Sequence, residues 1–207
     1  MRPRPLRVAL TGGIATGKSH CLGQFVALGA PVVDGDALAH AALAPGSPGA
    51  AEALATFGTT DRAKLGALVF QIPEARRALE AIIHPRVYQG IEDWFRGLKA
   101  SAPFGIADIP LLFETGHQRD FDRVIITSCR PDQQRERLIA RGLDTATADA
   151  RIASQLSFEE KIARAKAAGL APHNIDVIDT SGAIEETDRQ VRRVIDVLGS
   201  LPPRVCS

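Results

Sequence analysis

Three observations predict an α/β fold built on a mostly parallel, five-stranded sheet. Short apolar runs rich in β-branched residues alternate along the chain with segments of helical texture. The first run, residues 6–10, ends in a glycine-rich turn that opens directly into a helix. Residues 50–100 are helical in pattern throughout, so they read as an insertion between two strands of the sheet.

The elements follow in chain order. After Lys18, Leu22, Phe25 and Val26 recur at helical spacing, and Gly29 supplies a stop. Residues 31–34 form the second strand and residues 36–43 a short helix, which ends at a Pro/Gly loop over 44–49. Inside the insertion, Pro73 is a first-turn proline followed by Glu74, and Pro85, after His84, is expected to start a further helix. Strands are predicted at 104–109, closed by Pro110, and at 123–127, where β-branched content is highest. Pro131 opens a helix through Arg141 that Gly142 stops. Helices over 146–156 and 159–168 follow, then a strand at 175–178. A terminal amphipathic helix over 184–198 places Val191, Val194, Ile195 and Leu198 on one face. Residues 202–207 are expected to fray. Residues 1–40 and 101–207 are thus the expected core, and 41–100 the helical insertion.

Composition narrows the function. A chain of 207 residues, 45% of them hydrophobic, can bury one α/β core plus an additional helical piece. A formal net charge of +1 with no cationic block argues against nucleic acid or another polyanion as partner. Cys21, Cys129 and Cys206 are odd in number and widely spaced, which suits reduced thiols rather than a disulfide framework or a zinc site. The basic start leads into an apolar run cut short by Thr11-Gly12-Gly13, too short for a signal sequence. No apolar stretch approaches the ~20 residues of a membrane span. The expectation is a cytoplasmic protein without membrane partners, monomeric by default.

Gly12-Gly13-Ile14-Ala15-Thr16-Gly17-Lys18-Ser19 matches the phosphate-loop pattern G-x-x-x-x-G-K-[ST]. Glycines let the backbone curl so that successive N–H groups converge on phosphate oxygens, and the following helix turns its positive end to the same anion. Lys18 supplies a mobile charge for the β and γ phosphates, and Ser19 a hydroxyl for magnesium. A GTPase would carry Asn-Lys-x-Asp, which is absent. Asp179-Thr180-Ser181-Gly182 fits a loose D-x-x-G but lies too far down the chain to be a switch. A motor or helicase ATPase would be larger. There remain small-molecule and nucleotide kinases, which combine this core with a helical acceptor-binding insertion and an arginine-bearing helical lid.

Several side chains are candidates for the site. Asp36 lies just past a strand end, on the side where α/β proteins bind ligands, although a helix N-cap there is an equally physical use. Asp34 either orients magnesium-bound water or caps a turn. His84 either contacts the acceptor or caps the helix begun by Pro85. Asp108 ends a buried strand, as a magnesium-directed acid would. Arg137 and Arg141 share a helix face before Gly142, a placement that suits a lid, with Arg141 favoured and Arg130 a weaker candidate. His40, His117 and His173 lack metal-ligand spacing and read as surface residues.

Beyond the loop, the chain resembles the dephospho-coenzyme A kinase family. The resemblance rests on Leu10-Thr11 ahead of the loop, Val32-Val33-Asp34-Gly35-Asp36, Ile83-His84-Pro85 and Asp108-Ile109-Pro110-Leu111-Leu112-Phe113-Glu114. It continues through Arg151-Ile152-Ala153-Ser154-Gln155 and Asp176-Val177-Ile178-Asp179, so the blocks run in family order over about residues 6–200. Ala15, His20 and Thr180 depart from the usual pattern, where Gly, Thr and Asn are common, and residues 166–174 look like an insertion. The resemblance implies ATP-dependent phosphorylation of the ribose 3′-hydroxyl of dephospho-coenzyme A, with a core, a helical acceptor domain and a lid within about 138–160. The site assignment that follows has Lys18, Asp36 and Arg141 as catalytic residues. ATP is held by Gly13, Ile14, Ala15, Thr16, Gly17, Lys18, Ser19 and His20, and magnesium by Ser19 and Asp108. The acceptor is held by Asp34, Asp36, His84 and Leu111. A kinase of another alcohol or nucleoside monophosphate, and a nucleotide sensor without acceptor chemistry, are the alternatives.

Overall fold

The computed structural model describes residues 3–99, 101–202 and 204–205. A two-residue strand, β1 (Pro3–Arg4), precedes β2 (Leu6–Gly12), the phosphate loop and α1 (Lys18–Ala27). Next come β3 (Val32–Asp34), α2 (Gly35–Ala42), α3 (Pro48–Phe57), α4 (Arg62–Gln71) and α5 (Pro73–Gly97). The chain continues through β4 (Phe104–Asp108), β5 (Arg123–Ser128), α6 (Pro131–Ala140), α7 (Thr145–Ala153) and α8 (Phe158–Ala167). It closes with β6 (Ile175–Asp179), α9 (Ile184–Ser200) and β7 (Arg204–Val205).

The main sheet has the order β3-β4-β2-β5-β6, and the registered pairs of β2 with β4 and β5, and of β5 with β6, are parallel. Parallel neighbours require crossovers, which the intervening helices supply. Alternation along the strands sends Leu6, Val8, Leu10, Ile106, Ile125 and Ile178 to one face, where Cys21 and Phe25 of α1 and Val191, Val194 and Leu198 of α9 cover them. Val124 and Ile126 are buried too, so both faces of β5 are dry, as a central parallel strand demands. The result places the C-terminal ends of β2 and β4 side by side, with Leu10 registered on Asp108.

The chain divides into two compact units, residues 1–33 with 98–207 and residues 34–97. The boundary falls at 33/34 rather than 40/41 because α2 packs with α5 and α3 inside the helical unit. Within that unit Pro85 does not start a helix. It sits inside the 25-residue α5. A proline in a helix interior costs about 3 kcal/mol, yet Ile82, Val87, Ile91 and Phe95 on both sides of it are buried along the same helix. Their burial, at about 1.5–3 kcal/mol per large side chain, holds the helix in one piece.

The tail departs from expectation as well. Arg204–Val205 pairs antiparallel with Pro3–Arg4, while Pro203, Cys206 and Ser207 lie outside the described residues. The pairing is backed by Asp122, whose carboxylate accepts from Arg4 Nη1 at 2.6 Å, Arg4 Nη2 at 2.9 Å and the Arg7 amide at 2.8 Å. Residues 166–174 hold the end of α8, a left-handed Gly169, the buried Leu170 and a 3₁₀ turn over Pro172–Asn174. Cys21 and Cys129 are free thiols, and burial pushes Cys21 up to about 12, so it packs as a small hydrophobe.

Burial raises the Asp122 carboxyl, but the Arg4 guanidinium and the Arg7 amide outweigh it and hold the group below its ordinary value. The lowered value means that this stabilisation is complete above the unfolded pKa of about 3.9 and is lost as pH falls through the folded one. Asp122→Asn should therefore cost about 1.5–3 kcal/mol at neutral pH. Urea melts at pH 7 and pH 3 should show the gap between variant and parent narrowing in acid.

Candidate active site

The phosphate loop continues β2 without a break and delivers its last two residues, Lys18 and Ser19, to the first turn of α1. Gly17 takes a left-handed φ of 82°, and a Cβ there would lie 2.9 Å from Thr180 Cγ2, so only glycine fits. Ala15 also has positive φ, at 60°, which costs an alanine roughly 1–2 kcal/mol. Its methyl group is 7% exposed and packs with Leu138 and Ala148 of α6 and α7, which offsets part of that cost and explains an alanine where glycine is common.

Lys18 Nζ lies 2.6 Å from both carboxylate oxygens of Asp108. The two side chains are 15% and 6% exposed, so the charges are largely withdrawn from water. The pair leaves the ammonium at the mouth of the loop. Ser19 is exposed on the same turn.

The loop is braced from three sides. Thr16 Oγ1 bonds to the Gly13 carbonyl at 2.7 Å and to Thr127 Oγ1 at 2.8 Å. Gln134 Nε2 donates to the Ile14 carbonyl at 2.6 Å, and the Ile14 amide donates to Gln155 Oε1 at 2.6 Å. Arg137 Nη1 reaches the Ala15 carbonyl at 3.1 Å and Thr180 Oγ1 at 3.0 Å, while its Nη2 reaches the Thr180 carbonyl at 2.6 Å. Thr180 Oγ1 in turn donates to the Thr16 carbonyl at 3.0 Å. Arg137 and Thr180 therefore tie the phosphate loop to the segment after β6.

Two clefts flank the loop. The smaller, about 250 Å³, is lined by Ala15, Gly17, His20, Arg137, Arg141 and Thr180 among others. His20 Nε2 is 2.7 Å from Asp188 Oδ1 on α9. The larger, about 580 Å³, meets the first half of the loop at Gly13 and Thr16 and is lined by Gln134, Gln155 and the turn between α7 and α8.

In the helical unit, Asp34 Oδ1 accepts from the amides of Asp36 at 2.8 Å and Ala37 at 3.2 Å. Asp34 is thus the N-cap of α2, and Asp36 stands in its first turn with an exposed side chain. His84 lies inside α5, so it is not at a helix start. In the core unit, Leu111 follows β4 and is 39% exposed, and Arg141 is the exposed C-cap of α6. Among the described residues no group of three or more His, Cys, Asp or Glu side chains could hold a metal ion, and no helix is long and apolar enough to cross a membrane.

Gln134, Thr127 and Asp188 carry no motif and were invisible to sequence reasoning. Gln155 was visible only as the last residue of a matching block.

A parallel sheet that ends in a G-x-x-x-x-G-K-S loop, with its lysine paired to an acid on the neighbouring strand and helices packed on the loop, defines a P-loop kinase. The family model for dephospho-CoA kinase matches residues 6–171. A dephospho-CoA kinase from Anaeromyxobacter dehalogenans is 49% identical over 168 residues, which cover 76% of this chain and 80% of that one. Among solved structures, TT1252 from Thermus thermophilus superposes with a TM-score of 0.76 at 31% identity, covering 94% of this chain and 98% of that one. A dephospho-CoA kinase from Campylobacter jejuni gives 0.68 at 25% identity, covering 93% and 96%. The chain belongs to the dephospho-CoA kinase family.

Arg137 is spent on the loop rather than on solvent, so its removal should act on nucleotide binding. Arg137→Ala is expected to weaken ATP binding about tenfold, the effect of losing one to two charge-assisted hydrogen bonds. Calorimetric titration with ATP checks this, and unchanged affinity would show the brace to be dispensable.

Proposed function

We infer that this chain transfers the γ-phosphate of ATP to the ribose 3′-hydroxyl of dephospho-coenzyme A, the last step of coenzyme A synthesis. The observation that carries the reading is the family match over residues 6–171, combined with an intact phosphate loop whose Lys18 is already fixed by Asp108. The acceptor oxygen attacks the γ-phosphorus as the bond to the β–γ bridging oxygen breaks, and ADP leaves with the bonding electrons. Lys18 stands where charge builds on that leaving oxygen.

The nucleoside lies along the smaller cleft, between His20, Arg137 and Thr180, with phosphates on the amides of residues 13–20. Arg141, exposed at the end of α6, closes on the phosphates as the lid residue and excludes water. The acceptor is held by Asp34, Asp36, His84 and Leu111. Asp34 has one carboxylate oxygen, Oδ1, in the α2 cap, and Asp36, exposed in the first turn, is the group that takes the hydroxyl proton.

Magnesium would be held by the Ser19 hydroxyl and, once Lys18 turns from it to the phosphates, by the Asp108 carboxylate; the remaining ligands of such an ion are phosphate oxygens and water. Such an ion, when bound, offsets the charge of the β and γ phosphates.

Purified protein incubated with ATP and dephospho-coenzyme A should yield ADP and a 3′-phosphorylated product, with the position read by NMR. Transfer to a different alcohol, or ATP binding with transfer to none, would overturn the reading. Lys18→Ala should lower kcat by about three orders of magnitude or more. Its melting temperature should also fall, because Asp108 is left buried without its counter-charge.

Asp36→Asn tests the base, since the cap of α2 is Asp34. It should bind ATP and acceptor within a few-fold of normal and lose ~10²-fold or more in kcat. Unchanged turnover would remove Asp36 from the chemistry.

A further inference from the structure

Ile14 is bracketed by two glutamines, and they present opposite chemistry. Gln134 donates one Nε2 hydrogen to the Ile14 carbonyl and keeps a single N–H to spare. Gln155 accepts the Ile14 N–H on Oε1 at 2.6 Å. That bond fixes which way the carboxamide is turned and leaves the two hydrogens of Nε2 uncommitted on the other side of the same planar group.

The location is specific. Gly17 and His20 line the smaller cleft, so the nucleoside end of the loop is there. Gly13 and Ile14, at the start of the loop, mark the other end, where the γ-phosphate belongs. Gln155 lines the larger cleft that meets the loop at Gly13.

Its backbone is held as well. Leu156 donates its amide to Glu114 Oε1 at 3.4 Å, and Lys161 Nζ, 3% exposed, bonds to the Leu156 carbonyl at 2.6 Å and to Glu114 Oε1 at 3.2 Å. Glu114 lies six residues past Asp108, in the loop after β4. The turn carrying Gln155 is therefore fastened to the loop after β4 through Glu114, and its Nε2 hydrogens face the cleft side of the carboxamide.

We propose that Gln155 reads the γ-phosphate of ATP: Oε1 holds the Ile14 amide in place while Nε2 donates to the γ-phosphoryl oxygens. The proposal rests on ATP being the phosphate donor and is independent of which alcohol accepts.

Gln155→Glu is the discriminating variant, because it keeps an oxygen for Ile14 but replaces the donor with a negative charge. Calorimetric titration of the full-length protein with ADP and with β,γ-imido-ATP, and no acceptor present, should show ADP affinity within about twofold of the parent. Affinity for the triphosphate analogue should fall by about tenfold or more, the scale of one charge-assisted hydrogen bond lost and a repulsion gained. Gln155→Ala should show the same asymmetry to a smaller degree, and it keeps the test open if the glutamate variant folds poorly. Gln134→Glu, which sets a carboxylate against the Ile14 carbonyl and so disturbs the loop itself, should weaken both nucleotides. Equal losses for ADP and the analogue in both Gln155 variants, or no loss in either, would reduce Gln155 to a loop brace. Failure to phosphorylate dephospho-coenzyme A would leave this comparison intact, since only nucleotide binding is measured.

Discussion

The site depends on one buried ion pair, Lys18 with Asp108, formed where the ends of β2 and β4 meet. A lysine at the mouth of a phosphate loop must be charged and held without being consumed. Full exposure would leave it mobile and screened. A carboxylate placed by the neighbouring strand supplies the counter-charge and fixes the ammonium at a single point. The sheet order follows from the same requirement, because β4 must lie beside β2 for Asp108 to reach across. Such a pair is weak as a stabiliser, since desolvation offsets most of the Coulomb gain. Its value lies in geometry.

Around that pair the loop is strained and braced in equal measure. Ala15 and Gly17 both adopt left-handed backbone, which glycine takes up freely and Ala15 keeps through its surroundings. Helices α6 and α7 and the turn after α7 supply the bracing. Leu138 and Ala148 bury Ala15, Arg137 takes its carbonyl, and Gln134 and Gln155 take the carbonyl and amide of Ile14.

The departures at Ala15, His20 and Thr180 fall into place on the same view. Ala15 exchanges glycine's freedom for a packed methyl. Thr180 spends its hydroxyl on Thr16 and Arg137 and presses its methyl on Gly17, so it serves as scaffold for the loop. His20 acquires a carboxylate partner in Asp188, a pairing that no local pattern announces because the two residues lie on different helices.

Much of this protein was determined by sequence that acts over a few residues. Strand period, the curl of residues 12–17, the proline that opens α6 and the apolar face of α9 each depend on neighbours one to four positions apart. They could be read from spacing alone. Local rules failed where a distant partner outweighed them. Pro85 reads as a helix start, yet residues 82–95 bury one continuous face. The tail reads as loose, yet Arg204–Val205 finds the other end of the chain. Asp36 and Asp34 were equal candidates for the cap until the backbone turned Asp34 onto the amides. Lys18 and Asp108 are 90 positions apart, Ile14 and Gln155 141, and Thr180 and Thr16 164. Which of these residues meet is decided by strand order and by the helices that lie on the loop. That is a property of the assembled sheet, because the free energy of each contact exists only once both partners have left water together.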